Sequence, residues 1–239
     1  CPAAILGPVF SSKDPQALQA FIASAEVFSL EFENTPVADV DVLTQTKTLH
    51  PPRLALATAQ NRLAEKGLFD ELAIPVASYR AVDSLESLKQ AVAELGLPIV
   101  LKTVTGGYDG KGQFVLRSED QIDTAWAELG PAKSLIAESF VKFSREVSII
   151  AVRGQDGDVK TWALAENHHH NGILSHSIVP APNSTDLQPV AQDYITRLLN
   201  HLNYVGVLTL ELFVTEQGLY ANEMACRVHN SGHWSIEGA

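Results

Sequence analysis

The chain has 239 residues, room for one large domain or two small ones. Seventeen Lys and Arg against 28 Asp and Glu leave a net charge of −11, which excludes a nucleic-acid binder built on a basic stripe. At 46% apolar and 19% charged residues the composition is that of a chain with a sizeable core, and two cysteines, Cys1 and Cys226, exclude a disulfide framework.

No apolar run approaches the ~18 residues of a membrane span. No charged segment ahead of an apolar run marks a signal peptide. These features predict a soluble, acidic, cytoplasmic protein. The chain opens Cys-Pro-Ala-Ala and stops at Ile-Glu-Gly-Ala, so it reads as a fragment cut at both ends.

In chain order, Asp14 and Pro15 start a helix carrying Leu18, Phe21 and Ile22. Residues 27–32 read as a strand. One long helix is predicted over 54–72, followed at Pro75 by an extended connector to Tyr79. Asp83 or Ser84 caps the next helix, which Gly96 and Pro98 end. Residues 99–104 and 114–117 form strands on either side of a glycine-rich segment. Ser118 caps a helix to Leu129, and strands follow at 135–140, 145–153 and 159–165. A helix over 187–202 and a hairpin, 205–215 against 219–228, complete an α/β or α+β pattern.

Gly106, Gly107, Gly110 and Gly112 lie within seven positions between two strands. This is not the strand-loop-helix setting of a Walker loop or a dinucleotide fingerprint. A glycine hairpin lets backbone amides approach phosphates, and Lys102 just before it would supply a cation. An ordinary flexible hairpin with Lys102 in solvent fits the spacing equally well.

Along 207–214, Thr209, Glu211 and Phe213 share one face and the leucines the other. A three-residue loop ending at Gly218 would pair Thr215 with Leu219 and set Glu211 opposite Glu223. Facing like charges destabilise a sheet unless compensated, and Mg²⁺ shared with substrate phosphates would compensate them. Arg227 is an alternative counter-charge, and a bulge would alter the register. Asn222 falls on the other face in ideal geometry.

Glu138 and Glu146 suit hydrogen bonds to a nucleoside, or are edge carboxylates in water. His168, His169 and His170 cannot converge on one ion from a strand, because successive side chains alternate. One of them lining a pocket is the better reading. Arg227 to Trp234 is dense in hydrogen-bonding side chains and suits anion binding, as it suits a surface loop.

Three strings carry a resemblance: Leu101-Lys-Thr-Val-Thr-Gly-Gly-Tyr-Asp-Gly-Lys-Gly-Gln113; Glu138 with Phe143-Ser-Arg-Glu-Val-Ser148; and Ala221-Asn-Glu-Met-Ala-Cys-Arg-Val-His-Asn-Ser-Gly-His-Trp234. Together they resemble the N5-carboxyaminoimidazole ribonucleotide synthase family of ATP-grasp enzymes, from about residue 27 onward. The resemblance implies an ATP-grasp fold (61–239) preceded by a partial Rossmann-like pre-ATP-grasp domain (1–60). It also implies that a first strand and a C-terminal β-rich region lie outside the chain. Cys226 departs from the family, which usually has Pro there.

Family roles then fall on matching positions. Arg53 and Lys102 would contact ATP phosphates, under a lid formed by Gly107, Tyr108, Asp109, Gly110, Lys111, Gly112 and Gln113. Glu138, Ser139, Phe140, Val141, Glu146 and His169 would form the adenosine end. Glu211 and Glu223 would hold Mg²⁺, with Asn222 beside them. Tyr108, Asp109, Arg227, His229 and Asn230 would serve bicarbonate and the ribonucleotide, with Glu33 a further candidate. The implied reaction joins 5-aminoimidazole ribonucleotide and bicarbonate at the expense of ATP, through carboxyphosphate. A homodimer that passes its product to the N5-carboxyaminoimidazole ribonucleotide mutase is implied as well. A formate-dependent glycinamide ribonucleotide transformylase is a competing reading, opposed by His229 to Trp234, and a nucleotide-binding chain without turnover is another.

Overall fold

The computed structural model describes residues 14–106, 112–130, 134–170 and 172–238. Asp14 caps α1 (Pro15–Ala23) by accepting from the amides of Gln16 and Ala17. β1 (Val27–Ser29) is shorter than the predicted strand. It pairs in parallel with β2 (Thr48–His50), and α2 (Val37–Thr44) crosses between them. Neither α2 nor β2 stands out in the sequence pattern.

The helix predicted over 54–72 is two helices, α3 (Arg53–Ala59) and α4 (Arg62–Glu71). Asn61 divides them. Its side chain accepts from the amides of Leu63 and Ala64, so it caps α4 instead of continuing α3. The Arg62 amide meanwhile donates to Val104 O, tying this junction to the root of the glycine segment.

A four-stranded antiparallel sheet follows, ordered β3 (Tyr79–Val82), β6 (Leu135–Ser139), β4 (Ile99–Thr103), β5 (Gln113–Leu116). Helices α5 (Leu85–Leu95) and α6 (Ile122–Leu129) pack on it through Leu88, Ala125, Ile99, Leu101, Leu116 and Leu135. Ser84 and Ser87 close a reciprocal cap on α5, and Gly96 at φ +72° ends it. Ser118 makes no capping bond and opens a 3-10 turn before α6.

The larger sheet runs β10 (Ile173–Ile178), β9 (Ala165–His170), β7 (Arg145–Arg153), β11 (Gly206–Thr215), β12 (Gly218–Ala225), with β8 (Val159–Thr161) also on β7. The strand predicted over 159–165 is thus split into β8 and β9. Between them Gln188, at the start of α7 (Gln188–His201), accepts from the Leu164 amide and donates to Trp162 O. One side-chain amide takes over the backbone bonds that the sheet gives up there.

Val147, Ile149, Leu208 and Leu210 point from this sheet into a core shared with Ile195, Leu198 and Leu199 of α7. Leu18, Val40, Leu56 and Phe69 of the N-terminal helices belong to the same core. Strand alternation therefore turns Glu146, Ser148, Thr209 and Glu211 to the opposite face, which is where the polar chemistry collects. Helix α8 (Ser235–Gly238) ends the described chain.

Candidate active site

Glu211 does face Glu223, by a different route from the one the sequence suggests. The hairpin loop has two residues, because Thr215 pairs with Gly218, which takes φ +119°. The Thr215 hydroxyl tightens the turn by donating to Gly218 O and accepting from the Gln217 amide. That shorter loop alone would misplace the pair. A β-bulge between Glu211 and Leu212 restores it, inserting Asn222 as the extra residue. The bulge also brings Asn222 to the site, where its side chain hydrogen-bonds Glu211.

Helix α4 holds this bulge. Buried Glu65 accepts from the Met224 amide at 2.7 Å, and buried Lys66 donates to Asn222 O at 2.8 Å. Lys66 also lies 3.7 Å from Glu138, whose other cation is Lys102 at 3.1 Å. Burial raises the Glu138 pKa, but Lys66 and Lys102 outweigh it and hold the carboxyl below its usual range. Glu138 is therefore a buried ion-pair member, and the reading of a solvated edge carboxylate is corrected. Burial drives Glu65 strongly the other way, toward its neutral form.

Burial raises Glu211 to about 8, reinforced by Glu223 and Glu146. Glu33 rises to about 7 through burial, against the pull of Arg227 at 3.3 Å. His229 Nε2 lies 3.2 Å from Glu211 Oε1, and burial together with Arg227 lowers the His229 pKa to about 4. Arg62 ties its guanidinium to Thr103 O and Gly106 O, 2.9 and 2.6 Å away, bracing the entry to the glycine segment. Gln60 donates to Glu33 O and Thr35 O and so fixes the loop that carries Glu33.

Glu211, Glu223, Arg227, His229, Asn230 and His169 line one cleft. His169 pairs with Glu146 at 3.3 Å, whereas His168 stacks on His176 with ring centroids 4.5 Å apart. The three consecutive histidines diverge, as strand alternation requires. Among the described residues no group of three or more His, Cys, Asp and Glu side chains is arranged to hold a metal. Two hard carboxylates with a like-charge conflict do fit Mg²⁺, which takes its remaining ligands from phosphates and water.

Ser139, Phe140 and Val141 follow Glu138 in the segment joining the two sheets, and Arg117 lies over the Phe140 ring at 5.8 Å. Gln113 begins β5 opposite Lys102, and Gly112 stands at φ +73° with its carbonyl accepting from Thr103. Gly107, Tyr108, Asp109, Gly110 and Lys111 lie outside the described residues.

Arg53 does not join the cleft. It forms a bidentate pair with Asp41 of α2, its Nη2 3.1 Å from Oδ2, so the cation nearest the glycine segment from this region is Arg62. Cys226 is buried, and burial pushes its thiol up to about 12, so it packs as a small apolar residue. Arg62, Glu65 and Lys66 escape the sequence reading, although positions 65, 68, 69 and 72 share one helical stripe. Charges placed on the apolar side of an amphipathic helix were the signal.

Two acidic strands beneath a smaller sheet with a paired lysine define a class. A model of the ATP-grasp domain matches residues 67–239, and the chain belongs to the ATP-grasp family. Within that family it is similar to the N5-carboxyaminoimidazole ribonucleotide synthase of Pseudomonas aeruginosa, at 44% identity over 95% of this chain and 62% of the relative. The crystal structure of N5-carboxyaminoimidazole ribonucleotide synthetase from Thermus thermophilus matches with a TM-score of 0.91 at 43% identity, over 97% of this chain and 63% of that one. A structure of the synthase from Aspergillus clavatus, in complex with ADP and 5-aminoimidazole ribonucleotide, matches with a TM-score of 0.85 at 26% identity, over 93% and 58%. The chain spans about three-fifths of the length of these relatives. Among the described residues no helix is long and apolar enough to cross a membrane.

Proposed function

We propose that the protein of which this chain is part carboxylates 5-aminoimidazole ribonucleotide with bicarbonate and ATP, giving the N5-carboxyamino product, ADP and phosphate. The observation that carries this reading is the facing pair Glu211 and Glu223, with Arg227 and His229 at the same cleft. Resemblance to relatives of that name supports it. Residues 1–60 are the remainder of a pre-ATP-grasp domain and 61–239 the ATP-grasp portion. The working protein is a cytoplasmic homodimer that delivers its product to a mutase.

Bicarbonate is a poor electrophile, and its attack on the γ-phosphorus gives carboxyphosphate. Phosphoryl transfer demands positioning and neutralisation of phosphate charge. Glu211 and Glu223 would hold Mg²⁺, which when bound neutralises charge on the phosphate oxygens. Lys102 offers its ammonium to the phosphates from beside Glu138. Arg227 and His229 orient the bicarbonate, and Asn230 the ribonucleotide. The role of 107–113 in this reading is to contact the triphosphate and keep water from carboxyphosphate. Glu138, Ser139, Phe140, Val141, Glu146 and His169 receive the adenosine. An acidic protein gathers these polyanions through local cations alone.

An ATPase assay on the full-length protein tests the reading. ADP release that requires both bicarbonate and 5-aminoimidazole ribonucleotide supports it. Release stimulated instead by formate and glycinamide ribonucleotide would replace it.

A further inference from the structure

A line of hydroxyls and one amide leads from the far edge of the large sheet to His229. Ser177 on β10 donates to Asn167 Oδ1 at 2.8 Å, which fixes the orientation of that side-chain amide. Asn167 Nδ2 on β9 then donates to Ser148 Oγ at 3.1 Å, and Ser148 on β7 donates to Ser231 Oγ at 2.9 Å. Ser231 Oγ lies 2.9 Å from His229 Nδ1. Ser148 and Ser231 are wholly buried and Asn167 is 5% exposed, so water does not compete for these bonds.

The direction of the line is set at its end. The Ser231 backbone N–H also points at His229 Nδ1, 3.4 Å away. An atom approached by a backbone donor cannot carry a proton, so Nδ1 is the acceptor and Nε2 bears the hydrogen. Nε2 lies 3.2 Å from Glu211 Oε1. Each hydroxyl accepts from the group before it and donates to the next. Gly232 lets the 230–232 turn lie close on β7, where a Cβ would come within 2.9 Å of the Ile150 tip, Cδ1.

We infer that Ser231, Ser148 and Asn167 are positioning residues that hold His229 in its Nε2–H form and thereby set what the imidazole presents to Glu211, 3.2 Å away. The consequence for a bound cation rests on the reading of Glu211 as a metal ligand; the assignment of the His229 tautomer does not. Outer groups that orient a ligating carboxylate govern affinity without touching the ion. Asn222, brought over by the bulge, also favours the ionised form of Glu211.

Long-range proton–nitrogen NMR correlation on the metal-free protein, labelled with ¹⁵N-histidine and assigned with His229→Gln, reads the tautomer directly. The expected spectrum has an unprotonated Nδ1 and a protonated Nε2. Ser231→Ala should move both nitrogens toward the averaged values of a mixed tautomer, and Ser231→Thr, which keeps the hydroxyl, should restore the separation. Ser148→Ala should shift the same signals in the same sense, an independent check should the first variant fold poorly. Mn²⁺ affinity, followed by the loss of its free EPR signal, should fall about 10-fold in Ser231→Ala. A protonated Nδ1 in the parent protein, or unchanged nitrogen shifts in both alanine variants, overturns the inference. Absence of Mn²⁺ binding in the parent protein would overturn the metal reading alone, since the NMR result stands without it.

Discussion

Glu211 and Glu223 oppose one another across paired strands, and burial holds Glu211 at about 8. Glu223 raises the cost of ionising Glu211, and a divalent cation reverses that cost. Glu223→Gln removes one partner. Above pH 8, where Glu211 is ionised, the metal-free variant should unfold at a slightly higher temperature than the parent by calorimetry, because the repulsion is gone. Its affinity for Mg²⁺–ATP in titration calorimetry should drop at least about tenfold. Parent-like affinity would remove Glu223 from the site. Gly232 supplies a second test at this scale: Gly232→Ala meets only the flexible tip of Ile150, 2.9 Å away, and should cost no more than about 1 kcal/mol in urea unfolding.

Among the elements, α4 carries the geometry that the strands alone do not fix. Glu65 and Lys66 take up the amide of Met224 and the carbonyl of Asn222, so the bulge leaves neither group unpaired. Lys66→Met would strand Asn222 O and strip Glu138 of one cation, and urea unfolding should show a loss of about 3 kcal/mol. A loss well under 1 kcal/mol would mean that the bulge is held elsewhere. The hairpin shows why a correct pairing could be read from sequence for an incomplete reason. The expected three-residue loop and unbroken register, and the observed two-residue loop and bulge, both set Glu211 opposite Glu223. Alternation along β11 and the turn glycine were legible; the bulge was not, because its cause lies on α4, more than a hundred residues earlier. Arg53 was misplaced for a related reason. Its partner Asp41 sits on α2, a helix whose apolar stripe is too short to stand out. The capped helices α1 and α5 were plain, since Asp14 and Ser84 act on amides within three residues of themselves.

At the scale of the whole molecule, the N-terminal helices share a core with the large sheet, so the cleft carboxylates are tied to global stability. Glu33 and Glu211 have folded-state pKa values near 7 and 8, above the ordinary 4.5. The native state therefore holds more protons than the unfolded chain between those values. This contribution is complete below pH 4.5 and lost as pH rises through 7 to 8. His229, lowered from 6.5 to about 4, works the other way: its contribution is present above 6.5 and lost as pH falls through 4. The metal-free thermal midpoint should thus decline from about pH 6.5 to pH 8.5. Mg²⁺ should raise it more at the upper end, where no proton competes for the carboxylates. An Mg²⁺ effect independent of pH would detach the metal from Glu211. The most direct test is a crystal structure of the protein with Mg²⁺ and a non-hydrolysable ATP analogue. The account predicts one ion about 2.1 Å from oxygens of both Glu211 and Glu223 and in contact with the phosphates. An ion held away from both side chains, or nucleotide bound without engaging that pair, would contradict it.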